Sequence, residues 1–332
     1  RSVFRELFRQ RSGRYRALLA PARSQAAWCE YRRSRMWIVV TFLATIFQTL
    51  RTAAQARLRP DLSVNAASYV RYILGAPLSI AACMLAVWWS ADGMPTIPVR
   101  FWFIVTAAGV AQIVGTIALL TAFDRRDYAI GTVYSKTEVI QVAVFSAVIV
   151  GEPLQLWGWV SVIAVLVGVV KLASPSDTPL RQLIAHRDRA AQAGVLAGAG
   201  FALASVGIRW ASTSLGEHPA LVRGLITLAA MNTAQTIVNG IWIRMREPES
   251  IGIIFRHWRR TLPVGAMSVG GSAAWAIAMS METATKVRSL GQLELLLTFV
   301  VSRVWLRQQH RRAEFVASGL VLIGILGVTV LG

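Results

Sequence analysis

Acidic residues are scarce in this chain. Its 332 residues hold 16 Asp and Glu against 35 Lys and Arg, and charged residues of both signs together make up only 15%. Cysteine is scarcer: Cys29 lies in a basic N-terminal stretch and Cys83 inside an apolar run, which excludes a disulfide framework. The four histidines, His186, His218, His257 and His310, stand in connections with no two at ligand spacing on a helix, so no metal is expected. No GxxxxGK[ST] sequence occurs, which excludes a P-loop ATPase. No nucleophile–base pair or cofactor fingerprint stands out, so neither catalysis nor a cofactor is expected.

What the chain has in excess is apolar sequence. Hydrophobic residues make up 55% and the mean hydropathy is +0.52, against roughly 45–50% apolar residues in soluble domains. Long apolar stretches alternate with short connections that hold most of the charge. A membrane helix needs about 20 mainly apolar residues, and ten such spans can be drawn, near 36–56, 66–90, 101–123, 128–150, 156–173, 191–211, 219–243, 262–281, 284–306 and 315–331. Backbone groups in lipid must be satisfied within the segment, so these read as helices; a barrel would alternate in ten-residue segments instead. The expected fold is an all-α integral membrane protein with about ten transmembrane helices.

The formal charge of +19 invites a nucleic-acid reading. The arginines gather at span ends and in residues 1–35, without the aromatic-interleaved basic surface that a nucleic-acid groove needs, so no nucleic-acid partner is expected. Residues 1–35 form a basic tail: a surface amphipathic helix, a disordered arm, or a segment foreign to the native protein, since Met36 stands directly at the first span.

The sequence also repeats itself. An offset of 156 residues lays Gly109 on Gly265, Gly115 on Gly271, Ala118 on Ala274 and Ala122 on Ala278, then without a gap Glu138 on Glu294, Ser146 on Ser302 and Gly168 on Gly324. An offset of 152 lays "YVRYILGAP" (69–77) on "LVRGLITLA" (221–229), pairing Arg71 with Arg223. The units are 36–173 and 190–332, joined by a linker over 174–189. Five crossings per unit put the second copy upside down relative to the first, the inverted-repeat scaffold of alternating access.

The stretch "AFDRRDYAIGTVYSKTEVIQVAVFSAVIVGEPLQLWGWVSVIAVLVGVVKL" (122–172), together with the repeat, resembles the EamA-like ten-helix branch of the drug/metabolite transporter superfamily. The second half departs from that pattern, with Arg307-Gln308 where the first has Gly151-Glu152. The resemblance implies export or exchange of a small metabolite, driven by ion gradients or counter-substrate and not by ATP. The expected setting is a multi-pass membrane protein of the bacterial inner membrane. Expected partners are lipid, a small-molecule substrate and a coupling proton, with a homodimer left open. The alternatives are a lipid-modifying membrane enzyme and a passive channel or scaffold.

Of the acidic residues, Glu138 and Glu294 alone fall about halfway along a span, at the same repeat position. A charge at the bilayer centre costs at least about 2.5–3.5 kcal/mol on insertion scales, so each carboxylate should face a partner, water or the bundle interior. The alternative is a paired acid that merely holds helices together. Helical spacing sets Tyr134, Glu138 and Gln141 on one face with Ser146 roughly beside them, and Gly291, Glu294, Thr298 and Ser302 on the corresponding face. Two such faces would enclose a polar chamber, with Glu138 and Glu294 as its titratable acids. Lys136 points elsewhere. Arg71 and Arg223 are candidate anion contacts; the plainer reading is that they snorkel to headgroups. Glu152 before Pro153 reads as helix-start chemistry, and "GVLAGAG" (194–200) as close packing through small residues.

Two topology signals oppose each other. The tail arginines argue for a cytoplasmic N-terminus, as does the family resemblance. Odd-numbered connections and the span ends beside them carry most of the cations, including Arg57, Arg125, Arg187, Arg259 and Arg311, against Arg100, Arg209, Lys286 and Arg288 in the even ones. The positive-inside rule then places both termini outside.

Overall fold

The computed structural model describes residues 25–56, 63–123, 134–173, 189–296 and 312–331. All regular structure among them is helical. Five helical stretches are long and apolar enough to cross a membrane: Ser68–Trp89, Val99–Leu119, Ala191–Thr213, Ala220–Arg246 and Trp258–Met281. Three shorter apolar helices cover Glu138–Val150, Leu156–Leu172 and Phe315–Leu331.

In chain order, α1 spans Gln25–Ala56, α2 Val64–Ile73, α3 Gly75–Trp89 and α4 Val99–Phe123. Next come α5 (Glu138–Phe145), α6 (Leu156–Ala173), α7 (Arg189–Thr213) and α8 (Ala220–Arg246). The last four are α9 (Pro248–Arg256), α10 (Trp258–Met281), α11 (Ala284–Gly291) and α12 (Arg312–Leu331). Local chemistry sets several ends. Ser63 caps α2 by accepting from the Ala66 amide, and Pro248 with Glu249 opens α9. α5 runs on into a π-helical turn, Ser146–Val150, and stops at Gly151, whose φ of +77° only glycine adopts at no cost.

The tightest packing joins helices from the two halves of the chain. α7 lies along α4, α12 along α6, and α10 along α1. The α4–α7 contact is backbone on backbone: a Cβ on Gly200 would sit 2.5 Å from the Ala111 carbonyl oxygen and 2.6 Å from the Gly115 Cα. The small-residue reading of 194–200 therefore holds, since any side chain there would force the helices apart.

Outward faces are apolar. Trp88 and Trp89 are 79% exposed, Val148 78%, and Phe103, Leu156, Ile323 and Val330 are also exposed. Such a continuous apolar surface suits lipid and not water. Trp88, Trp89, Trp102 and Trp157 lie at helix ends, where indoles prefer the headgroup level.

Candidate functional site

Glu138 is buried and ion-paired with Arg288 of α11. The Arg288 guanidinium lies 4.8 Å from the ring centroid of Trp275 on α10, close enough for a cation–π contact. The Trp275 indole N–H donates to Gln48 Oε1 on α1 at 3.2 Å, and Gln48 Nε2 donates to Glu294 Oε2 at 3.0 Å. A continuous polar chain therefore runs from one mid-span glutamate to the other through α5, α11, α10 and α1. Arg51, within electrostatic reach of Glu294, Arg71 and Arg288, flanks the Glu294 end. The arrangement gives each acid its own partner, so charge could be traded among several polar groups without exposing any to lipid.

The backbone beneath this chain is interrupted twice. Thr137 N–H and Thr137 Oγ both bond the Tyr134 carbonyl, at 3.1 and 2.6 Å, and the Val139 amide bonds the Lys136 carbonyl at 3.3 Å. In α11 and the turn after it, the Gln292 amide bonds the Ser289 carbonyl and the Leu295 amide bonds the Gln292 carbonyl, both at 3.1 Å. Each break is a tight turn just before the glutamate.

That turn falls within the expected polar face. Between Tyr134 and Glu138 the Tyr134 carbonyl is taken by Thr137 N–H and Oγ in a tight turn. Gln141 turns to α7 and donates to the Val195 carbonyl at 3.3 Å. Ser146, fully buried, donates to Glu152 at 3.4 Å, on the next connection rather than beside Glu138. Thr298 and Ser302 lie outside the described residues.

A second cluster sits where the 151–155, 214–219 and 282–283 connections meet. Glu152 accepts from Arg209 Nε at 2.9 Å and pairs with its Nη2 at 2.8 Å, while Arg209 Nη1 donates to the Met279 carbonyl at 3.1 Å. The helix-start reading of Glu152 is thereby corrected: α6 begins later, at Leu156, and the carboxylate serves Arg209. Arg223, three residues into α8, donates to the Ser280 carbonyl near the end of α10 at 2.9 Å. Arg71 lies against the Tyr72 ring, 5.5 Å from its centroid. Arg71 and Arg223 thus serve different clusters.

Sequence reasoning missed Arg288, Arg209, Arg51, Gln48 and Trp275. Arg288 and Arg209 had been counted with the connections although both fall inside the drawn spans 284–306 and 191–211. Their positions inside the drawn span limits were the available signal. Among the described residues no group of His, Cys, Asp and Glu could hold a metal.

Residues 35–173 match the EamA-like transporter family, which lies in the drug/metabolite transporter superfamily. No curated protein matches the sequence. A solved crystal structure, 15% identical, matches 89% of this chain and 98% of its own length with a TM-score of 0.65, a likeness of fold.

Proposed function

Starting from an EamA-like transporter unit over residues 35–173, we propose that the chain is a secondary transporter of a small metabolite. It works by alternating access between two inverted five-helix units, 36–173 and 190–332, with ten crossings in all. The observation that carries this reading is the polar chain from Glu138 to Glu294, each standing beside a break in its own span. Interrupted helices at matching positions of two halves are where transporters of this architecture hold substrate.

Contacts between the halves support the inversion. A Cβ on Gly168 would meet Val321 and Ala317, and one on Gly324 would meet Val165 and Ser161; each pair of neighbours is related by the same offset of 156. The Val139→Lys136 and Leu295→Gln292 backbone bonds obey that offset too. α4–α7 and α10–α1 are likewise the same helix pair with the halves exchanged. In this reading Glu138 and Glu294 exchange protons or counter-substrate during the cycle, and no ATP is hydrolysed. The membrane is the bacterial inner membrane.

Reconstituted protein should carry solute across liposomes with saturable kinetics. E138Q and E294Q keep the volume and remove the titration, so flux should stop or lose its pH dependence while insertion survives. If both variants transport with the wild-type rate and pH profile, the glutamates only hold helices together and the reading of this site fails.

A further inference from the structure

Among the described residues, cations outnumber acids along the polar chain. Glu138 is matched by Arg288, and Glu294 is hydrogen-bonded by Gln48. Arg51 and Arg71 stand near one another and near Glu294, yet neither is in an ion pair with a described carboxylate. The Nε atoms of both, and the Tyr72 hydroxyl beside them, are buried with no hydrogen-bond partner among the described residues. Among the described residues, three guanidinium groups (Arg51, Arg71, Arg288) therefore stand near two carboxylates. Buried guanidinium N–H groups without partners are unfavourable unless an acceptor joins them. The Arg71 guanidinium lies 5.5 Å from the ring centroid of its neighbour Tyr72.

We propose that the cargo is a small organic anion whose carboxylate or phosphate group is held by Arg51 and Arg71, with the Tyr72 hydroxyl as a further donor. This rests on the transporter reading and adds the chemical class of the cargo. Planar guanidinium forks match the oxygens of either group in a bidentate manner, which a lysine cannot do. Bound there, the anion completes the charge balance that the two glutamates leave unfilled. Arg51 is also within electrostatic reach of Glu294, so cargo and glutamate compete for the same cation. That competition is what an exchanger needs.

The test uses the full chain in nanodiscs of phosphatidylcholine alone, titrated with benzoate, phenyl phosphate or tetraethylammonium by calorimetry. Benzoate or phenyl phosphate should bind saturably and tetraethylammonium should not. R71Q should weaken anion binding about tenfold or more, as expected for a lost charge-assisted bond, and R71K by less, because the ammonium keeps the charge without the fork. Binding of the cation with no anion binding overturns the proposal, and that result needs no variant to fold. Anion binding equal in R71Q and wild type also overturns it. A repeat in phosphatidylglycerol nanodiscs separates a lipid phosphate from a free one: if this lipid abolishes benzoate binding, the site is a headgroup site and the cargo class is wrong. The transporter reading fails differently, if the bound anions are never moved across liposomes.

Discussion

Arg288 on α11 is ion-paired with Glu138 on α5, and so bonds together the two interrupted segments of the chain. Glu138 is only 6% exposed, so this pair has little water to fall back on. Removing one partner of such a pair costs on the order of 3–5 kcal/mol, because the other charge stays buried. R288Q should therefore lower the melting temperature in detergent strongly, and the R288Q/E138Q double variant should recover much of the loss. Equal destabilisation by the single and double variants would show that the pair is not coupled.

The crossing of α6 and α12 depends on hydrogen-sized side chains. A Cβ at Gly168 would lie 2.6 Å from Val321 Cγ2 and 2.8 Å from the Ala317 carbonyl oxygen, and a Cβ at Gly324 2.7 Å from the Val165 amide nitrogen. G168A and G324A should each destabilise by about 1–3 kcal/mol through overpacking. G319A on the same helix meets nothing within 4 Å and should be close to neutral. Thermal unfolding of the three variants side by side checks this.

Trp275 has two separable jobs, the ring under Arg288 and the N–H to Gln48. W275F keeps a ring and loses the donor, with an expected cost of about 1 kcal/mol. W275A loses both and leaves a cavity, with an expected cost of about 3–5 kcal/mol. In flux assays W275F should retain transport at reduced rate. A W275F variant as inactive as W275A would make the Gln48 bond, not the ring, the part that matters.

Orientation can be read from the connection around α9. Its neighbours Arg244, Arg246, Arg256, Arg259 and Arg260 make it strongly basic, and the positive-inside rule puts it in the cytoplasm. In a variant lacking Cys29 and Cys83, S250C should react with a membrane-impermeant maleimide only after permeabilisation. Labelling in intact cells would reverse the orientation.

The helical runs and the two mid-span glutamates were legible because each is a one-dimensional signal: apolar length, or a charge where apolar length forbids it. Side-chain partners were not. The Tyr134–Glu138–Gln141 face assumed an unbroken period of 3.6, and a tight turn at Thr137 stands inside it. Gln48 and Trp275 are separated by 227 positions in the chain, so no local pattern pairs them. Arg51 was not singled out, because what it faces depends on how α1 packs against α10. Glu152 had an ordinary local explanation that concealed its bond to Arg209.

The way helices are shared between the halves bears on how the protein is made. The main neighbour of α4 is α7, and that of α1 is α10, so neither half has a complete interior of its own. As the chain leaves the ribosome, α4 must wait in the bilayer with its glycine-lined face against lipid until α7 is inserted, and α1 waits longer still, for α10. A nick in 174–188 should leave two fragments that are each short-lived alone and that rescue one another when made in the same membrane.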